Sequence, residues 1–306
     1  MKKFIDYLWL ILMIIGSSFV SIFIMLFVKY LDVYALNFYR FVVAGIFFGI
    51  LSYILYKKKF VDLFKKEWMP ITIFSLINVI VMVISTKGTY LTSATLPGFI
   101  FLFNLLPLTI ISCAFFVDER EALKSRSFIM GGILNIIGSI GIIEGYDFFT
   151  PGVMYGILLL VFSYIISDFT LVIQKKLLKN TEPLILAAQS VIIMSLGFFC
   201  LNITGMGALS SIKSLSVWLI IILFSSGIIG IGAGVVLYLV CIKRFGIVTT
   251  SMLNLSTPFF TVLFAFIVLN ETINLKQFIF GIILLIGSVL IVKSTFKHKL
   301  PEKIPL

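Results

Sequence analysis

An acid, three amides and a guanidinium set inside otherwise apolar stretches are the residues of this chain with chemistry to offer. Asp168 is the one carboxylate placed well inside such a stretch, seven residues before the basic end Lys175–Lys176, or roughly 10 Å by helical rise. A charge left unpaired in hydrocarbon costs at least ~2.5–3.5 kcal/mol on insertion scales, so an intramembrane acid points to function. Asp168 could hold a proton or a cationic substrate group, with Ser163, Tyr164 or Ser167 as neighbours. Its bland alternative is a nearby water boundary or a loop lysine. Arg40 could grip an anionic group by a bidentate contact, or snorkel outward along its own stem. Pro107 and Pro258 each interrupt an apolar stretch and remove one helical hydrogen bond. In lipid, the carbonyls so freed must face a neighbouring helix or a cavity. Asn104, Asn254, Ser256 and Thr257 offer polar atoms at that level. Arg40, Asn104, Pro107, Asp168, Gln189, Asn254 and Pro258 form the candidate substrate-binding set.

Other chemistries find little support. Cys113, Cys200 and Cys241 stand apart with no metal-ligand spacing, and His298 is the one histidine. We expect no metal, no cofactor and no catalytic centre. No phosphate-cradling loop is present, so the energy for any transport is expected from a proton or substrate gradient.

The elements that must position these residues are membrane spans. Sixty per cent of the residues are hydrophobic and 12% charged, with a mean hydropathy of +1.18, which excludes an ordinary soluble domain. Ten apolar runs are long enough to cross a bilayer: 7–28, 33–56, 69–87, 92–117, 126–144, 152–174, 183–204, 216–240, 247–269 and 275–293. The first is too long for a signal peptide and has no small-residue cleavage site, so it is expected to remain as a span. With the N-terminus inside, all of the 24 basic residues except Lys29, Arg40, Lys87, Lys213 and Lys276 fall on the inner side. That asymmetry predicts two cytoplasmic termini and an even number of spans. The net charge of +11 is thereby a topology signal and not a nucleic-acid footprint.

The chain also says one thing twice. Residues 94–143 run through Asn104 and Pro107 to an acidic exit, then Gly132 and Gly138; residues 246–292 repeat the order with Asn254, Pro258, Glu271, Gly281 and Gly287. Both glycines recur 149 positions on, and the same offset lays Arg40 on Gln189 and Phe19 on Asp168. Five spans per half would make the second half inverted, as in many secondary transporters. Glu119 and Glu121 would then lie on one membrane face and Glu271 on the other, as gating residues or as plain interfacial charges. The run Gly227, Gly230, Gly232, Gly234 could be a hinge or a close-packing stripe. Lys87, Glu144, Gln174 and Lys213 read as interfacial.

The repeated segment resembles the EamA family of the drug/metabolite transporter superfamily. The resemblance rests on Ser93–Ala94, Pro107, Glu119/Glu121, Gly132 and Gly138, and more cleanly on Gly246, Ser251, Pro258, Asn270–Glu271, Gln277, Gly281 and Gly287. Gly16-Ser17-Ser18-Phe19-Val20 and Asn37-Phe38-Tyr39-Arg40 are similar to the family's first and second spans, with Ile15 where a Trp is usual. Asp168 stands where the family has a small apolar residue. The resemblance implies a ten-helix inverted-repeat carrier of a small organic molecule, often an exporter of amino acids, their derivatives or drugs.

The expected fold is therefore an all-α integral membrane protein. It comprises residues 1–145 as a first five-span repeat, 146–293 as a second, inverted one, and 294–306 as a basic cytoplasmic tail. The expected function is secondary transport of a small organic molecule across the cell membrane by alternating access, as an exporter. An importer, a carrier of sugar derivatives or lipid-linked groups, a membrane scaffold and a polytopic membrane enzyme are the alternatives. Partners are the substrate, the bilayer and protons as a candidate coupling ion; no nucleic acid is expected, and the oligomeric state is open. Reporter fusions check the topology: both termini should report the cytoplasm, and insertions at 29–32 and 204–214 the outside.

Overall fold

A computed structural model describes residues 2–115, 123–144, 151–178 and 181–297. Among them the chain is helical, with no strand. The helices are α1 (Lys2–Ser18), α2 (Val20–Phe27), α3 (Val33–Tyr56), α4 (Lys58–Leu91), α5 (Leu96–Phe115) and α6 (Arg126–Glu144). They continue with α7 (Pro151–Leu178), α8 (Pro183–Ile203), α9 (Val217–Ser226), a π-helical segment (Gly227–Leu237), α10 (Tyr238–Asn254), α11 (Thr257–Leu269) and α12 (Leu275–Lys297). Among the described residues seven stretches are long and apolar enough to cross a membrane, and Leu96–Ile111, Arg126–Ile142 and Thr257–Leu269 are shorter apolar helices.

Local chemistry sets the boundaries. Asp32 begins α3, its Oδ1 accepting from the N–H groups of Tyr34 (2.8 Å) and Ala35 (2.9 Å). Pro183 opens α8, where its missing N–H costs nothing. Asn274 and Gln277 cap α12 reciprocally, each side chain accepting from the other's backbone N–H at 2.8 Å. α3 shows why these helices need lipid. Ile46, Ile50 and Ile54 form one exposed stripe, while Leu36, Phe41, Ala44 and Phe48 are buried on the other side. A helix apolar all round has no face for water.

Two boundaries differ from expectation. The sequence suggests a loop near Lys243–Arg244, but the backbone stays helical from Tyr238 to Asn254 and breaks at Leu255–Ser256. Pro258 then falls in the first turn of α11, while Pro107 lies inside α5. The two prolines are thus not equivalent: one starts a helix and the other bends one. α4 also begins eleven residues before the expected span at 69, as an extension joined to it through a non-helical Glu67.

Glycine sets how closely the helices approach. α6 lies along α12 almost backbone to backbone. A Cβ on Gly138 would fall 2.7 Å from the amide nitrogen of Leu284, and one on Gly287 2.7 Å from the carbonyl oxygen of Gly131. Asn135 crosses this seam, donating to Ser288 Oγ at 2.8 Å. Of the expected glycines, Gly132 instead meets the Leu106 side chain, and Gly281 the Phe99 ring. Gly131 makes the α12 contact that spacing alone assigned to Gly132. Gly138→Ala or Gly287→Ala should therefore cost ~1–3 kcal/mol by overpacking, whereas Gly234→Ala, with nothing within 4 Å of its added Cβ, should be close to neutral. Thermal unfolding of the detergent-purified variants separates the two outcomes.

Candidate functional site

The structure brings together two residues that the sequence offered separately. Asn104 of α5 donates its amide to both carboxylate oxygens of Asp168 of α7, at 3.0 and 3.1 Å. Both side chains are buried, 5% exposed each. Two of the partners expected on Asp168's own helix are otherwise engaged: Ser163 Oγ donates to the Leu160 carbonyl and Tyr164 Oη to the Pro97 carbonyl. Among the described residues no basic group pairs with Asp168; the side chains of Lys175 and Lys179 lie outside them. A carboxylate can take about four hydrogen bonds, and one amide nitrogen serves both oxygens here. A proton or a cationic ligand group would complete the set.

At the same offset the other half lacks the acid. Ser18 Oγ donates to the Thr257 carbonyl at 3.2 Å, and Thr261 Oγ1 donates to the Ser18 carbonyl at 3.2 Å. Thr257 Oγ1 donates to Asn254 Oδ1 at 2.8 Å. Phe19, which takes Asp168's place in the repeat, stacks on Phe264 with ring centroids 4.4 Å apart. One crossing therefore holds a carboxylate–amide pair, and the other hydroxyls and an aromatic stack. Asn254 joins this second cluster through Thr257, and Pro258 packs against Gly98 of α5.

Arg40 is 1% exposed, and its Nε and Nη2 are buried without hydrogen-bond partners. This overturns the snorkelling alternative, since a head group reaching the interface would be wetted. No hydrogen bond or ion pair joins it to Asn104 or Asp168 among the described residues. The guanidinium lies against the π-helical segment, where a Cβ on Gly230 would come 3.1 Å from Nη2. Gly227 faces the Arg40 backbone and Gly232 the Phe48 ring, while Gly234 faces open space. Three of the four glycines thus make room for α3, and the wider π-helical turns match a segment type common at functional sites.

Gln189 is buried and donates to the Phe60 carbonyl, anchoring the extension of α4. That bond commits its amide to a structural partner. Glu119 and Glu121 lie outside the described residues. Among the described residues Glu271 is not paired with a basic residue, and its carboxylate is held by hydrogen bonds instead. Asn270 ends α11 in the left-handed conformation (φ 54°), and the N–H of Glu271 returns to the Ala265 carbonyl at 3.2 Å. This turn aims the Glu271 carboxylate at the start of α5. It accepts from the N–H groups of Ala94 (3.0 Å) and Thr95 (3.2 Å) and from Thr95 Oγ1 (2.6 Å). A negative charge on exposed N–H groups at a helix N-terminus is stabilised by the helix dipole as well.

Sequence reading passed over three residues of this framework. Asn135 bridges α5 and α12 through the Leu102 carbonyl and Ser288, and Asn37 donates to Thr86 Oγ1 at 3.0 Å. Asp32 also accepts from the Ala208 N–H at 2.8 Å, tying the α2–α3 turn to the connection after α8. An Asp directly before an apolar run is a helix-start signal and could have been read as one. Asn135 carries no sequence signal beyond being polar inside a span, and Asn37 stands in the second-span motif with nothing to mark its contact.

Comparison with known proteins agrees with this architecture. The model of the EamA-like transporter family matches residues 154–293. An uncharacterized transporter of Haemophilus influenzae is 30% identical over 220 residues, covering 69% of this chain and 70% of the relative. A protein known from its crystal structure shares the fold at a TM-score of 0.56 and 13% identity, over 96% of this chain and 98% of that one. The multi-pass helical build, the repeated motif and this relationship lead to one conclusion: the chain belongs to the EamA-like transporter family, within the drug/metabolite transporter superfamily.

Proposed function

We propose that this protein is a secondary transporter that exports a small organic molecule across the cell membrane by alternating access. It would use ten spans arranged as two inverted units, 1–145 and 146–293, with both termini in the cytoplasm. The observation that carries the reading is the buried Asn104–Asp168 pair, an acid held between α5 and α7 by one amide donor. Part of the packing pattern, with α6 and α12 also exchanged, supports a two-fold repeat. Exchange α1 with α7, α3 with α8, α4 with α9 and the π segment, and α5 with α11. The contacts α4–α7, α4–α8 and α5–α7 then become α1–π segment, α3–π segment and α1–α11, all of which occur. The pairs α3–α8 and α6–α12 map onto themselves. In this reading the shorter helices α5, α6 and α11 complete the ten spans.

The mechanism follows from which contacts join the units. Asp168 alternates between its Asn104 contact and a proton or cationic group arriving from one side. The Glu271 clasp ties the α11–α12 turn of the second unit to α5 of the first on the outer face. Outward opening requires those three hydrogen bonds to break.

Two experiments test this. Asp168→Asn keeps an amide-to-amide contact with Asn104, so the protein should still fold. In proteoliposomes its flux should fall at least about tenfold and lose its dependence on a pH gradient, in keeping with the usual size of a general acid–base contribution. Flux with unchanged pH dependence would remove Asp168 from the mechanism. Glu271→Gln keeps one acceptor oxygen of two and loses the charge, a change worth about 1 kcal/mol at a helix start. With Cys113, Cys200 and Cys241 replaced, a cysteine at Ser93 should then react several-fold faster with a membrane-impermeant thiol reagent. Unchanged labelling would show that the clasp does not control the outer face.

A further inference from the structure

Beyond the acid pair, the end of the bundle that carries Asp32 holds a second feature with ligand chemistry. A cleft of about 530 Å³ lies between the α2–α3 turn and the end of α4, lined by Val28–Tyr34, Val83, Lys87, Tyr90 and Leu91. That volume falls within the range of small-molecule sites, about 300–1,000 Å³. Its walls are aliphatic and tyrosyl. Its charges are Lys29, Lys87 and Asp32, and both oxygens of Asp32 already accept backbone N–H groups. Lys29 makes no hydrogen bond or ion pair among the described residues. Lys87 lies over the Tyr155 ring at 5.8 Å, a contact that holds a cation in place without neutralising it.

Tyr90 lines the cleft, and its hydroxyl donates to the Leu31 carbonyl at 3.0 Å. One turn earlier on α4, Thr86 accepts from Asn37, which stands one turn before Arg40 on α3. Arg40 holds a buried guanidinium whose Nε and Nη2 have no partner. Those two nitrogens form one edge of the planar fork that matches a carboxylate bidentately. A buried cation with an unfilled edge is costly, and an anion is the ligand that relieves the cost.

We propose that this cleft is a vestibule for organic carboxylates, in which Lys29 and Lys87 collect the anion, the tyrosine-lined wall takes its apolar body, and Arg40 receives the carboxylate once Tyr90 releases Leu31. The proposal rests on the transporter reading and names the substrate class. It assigns Arg40 and Asp168 different tasks: the first selects an anionic group, and the second handles a proton or cation elsewhere in the path.

The test uses the full chain in detergent and matched ligands that differ only in the charged end. These are the carboxylate, the neutral amide and the amine of a hexyl, a phenylpropyl and an indolylpropyl body. The carboxylate of at least one body should raise the unfolding temperature, and its amide and amine should not. Arg40→Gln should weaken that carboxylate's binding by roughly 10- to 100-fold, the range for a hydrogen-bonded charge, while Arg40→Lys should recover part of the loss. Should Arg40→Gln fail to fold, the surface pair Lys29→Gln/Lys87→Gln decides. It should slow carboxylate association several-fold and flatten its salt dependence. Preferential stabilisation by the amines, or carboxylate binding unchanged in Arg40→Gln or in the lysine pair, would overturn the proposal. Flux of an amine in proteoliposomes without carboxylate binding would sink the vestibule and leave the transporter reading standing. Absence of flux for every ligand that binds would count against transport itself.

Discussion

In hydrocarbon a polar group has no water to turn to, so each one must be answered from within the chain. Most of this structure follows from that. Hydroxyls inside the helices fold back onto the preceding turn: Ser18 on Ile14, Ser75 on Ile71, Thr89 on Ser85, Thr109 on Leu105 and Ser139 on Asn135. Buried amides bridge helices, as Asn135 does to Ser288 and Asn37 to Thr86. Some groups are answered incompletely. Asp168 has one amide donor for two oxygens, Arg40 has two nitrogens with none, and the amide oxygens of Asn37, Asn135, Gln189 and Asn202 are buried without a partner. Asp168 and Arg40 are the charged members of that group, and a charge left so inside a span is costly enough to point to function.

Much of the frame was legible because it is written in long, coarse signals. Apolar run length gave the helices, and α3, α6, α8 and α12 begin and end within a few residues of the runs that foretold them. The break at Leu255–Ser256 was misplaced because Lys243–Arg244 looks like a loop. Two basic residues are compatible with a helix that leaves the membrane, and hydropathy does not distinguish the cases. Asn104 and Asp168 were each picked out as polar residues in apolar surroundings. That they meet was not legible, since contact between two helices depends on their rotation and depth, and neither is encoded in one-dimensional spacing. The role of Glu271 was hidden for a similar reason. Its motif neighbour Asn270 supplies the left-handed turn, but the destination of the carboxylate is 176 residues away in sequence at Thr95.

Departures from the internal repeat are more informative than the repeat. Phe19 and Asp168 occupy matching places, yet one stacks on Phe264 and the other holds Asn104. Arg40 and Gln189 also match, yet the amide nitrogen of Gln189 donates to the Phe60 carbonyl and its Oε1 is left unmet, while the guanidinium is left with two unmet donors. The matching places carry different chemistry. A scaffold made twice lets one copy carry packing while the other carries specificity.

The α6–α12 seam has a consequence of another kind. Where the carbonyl of Gly131 meets Gly287 and the backbone of Leu284 meets Gly138, a single added methyl group would have no room. A water molecule needs a cavity of ~10–15 Å³ by probe volume and two or more polar partners. Where the two backbones touch no cavity of that size exists, so a file of waters has no room at those points. The seam is a gasket there, and any residue larger than glycine at Gly131, Gly138 or Gly287 would prise it apart.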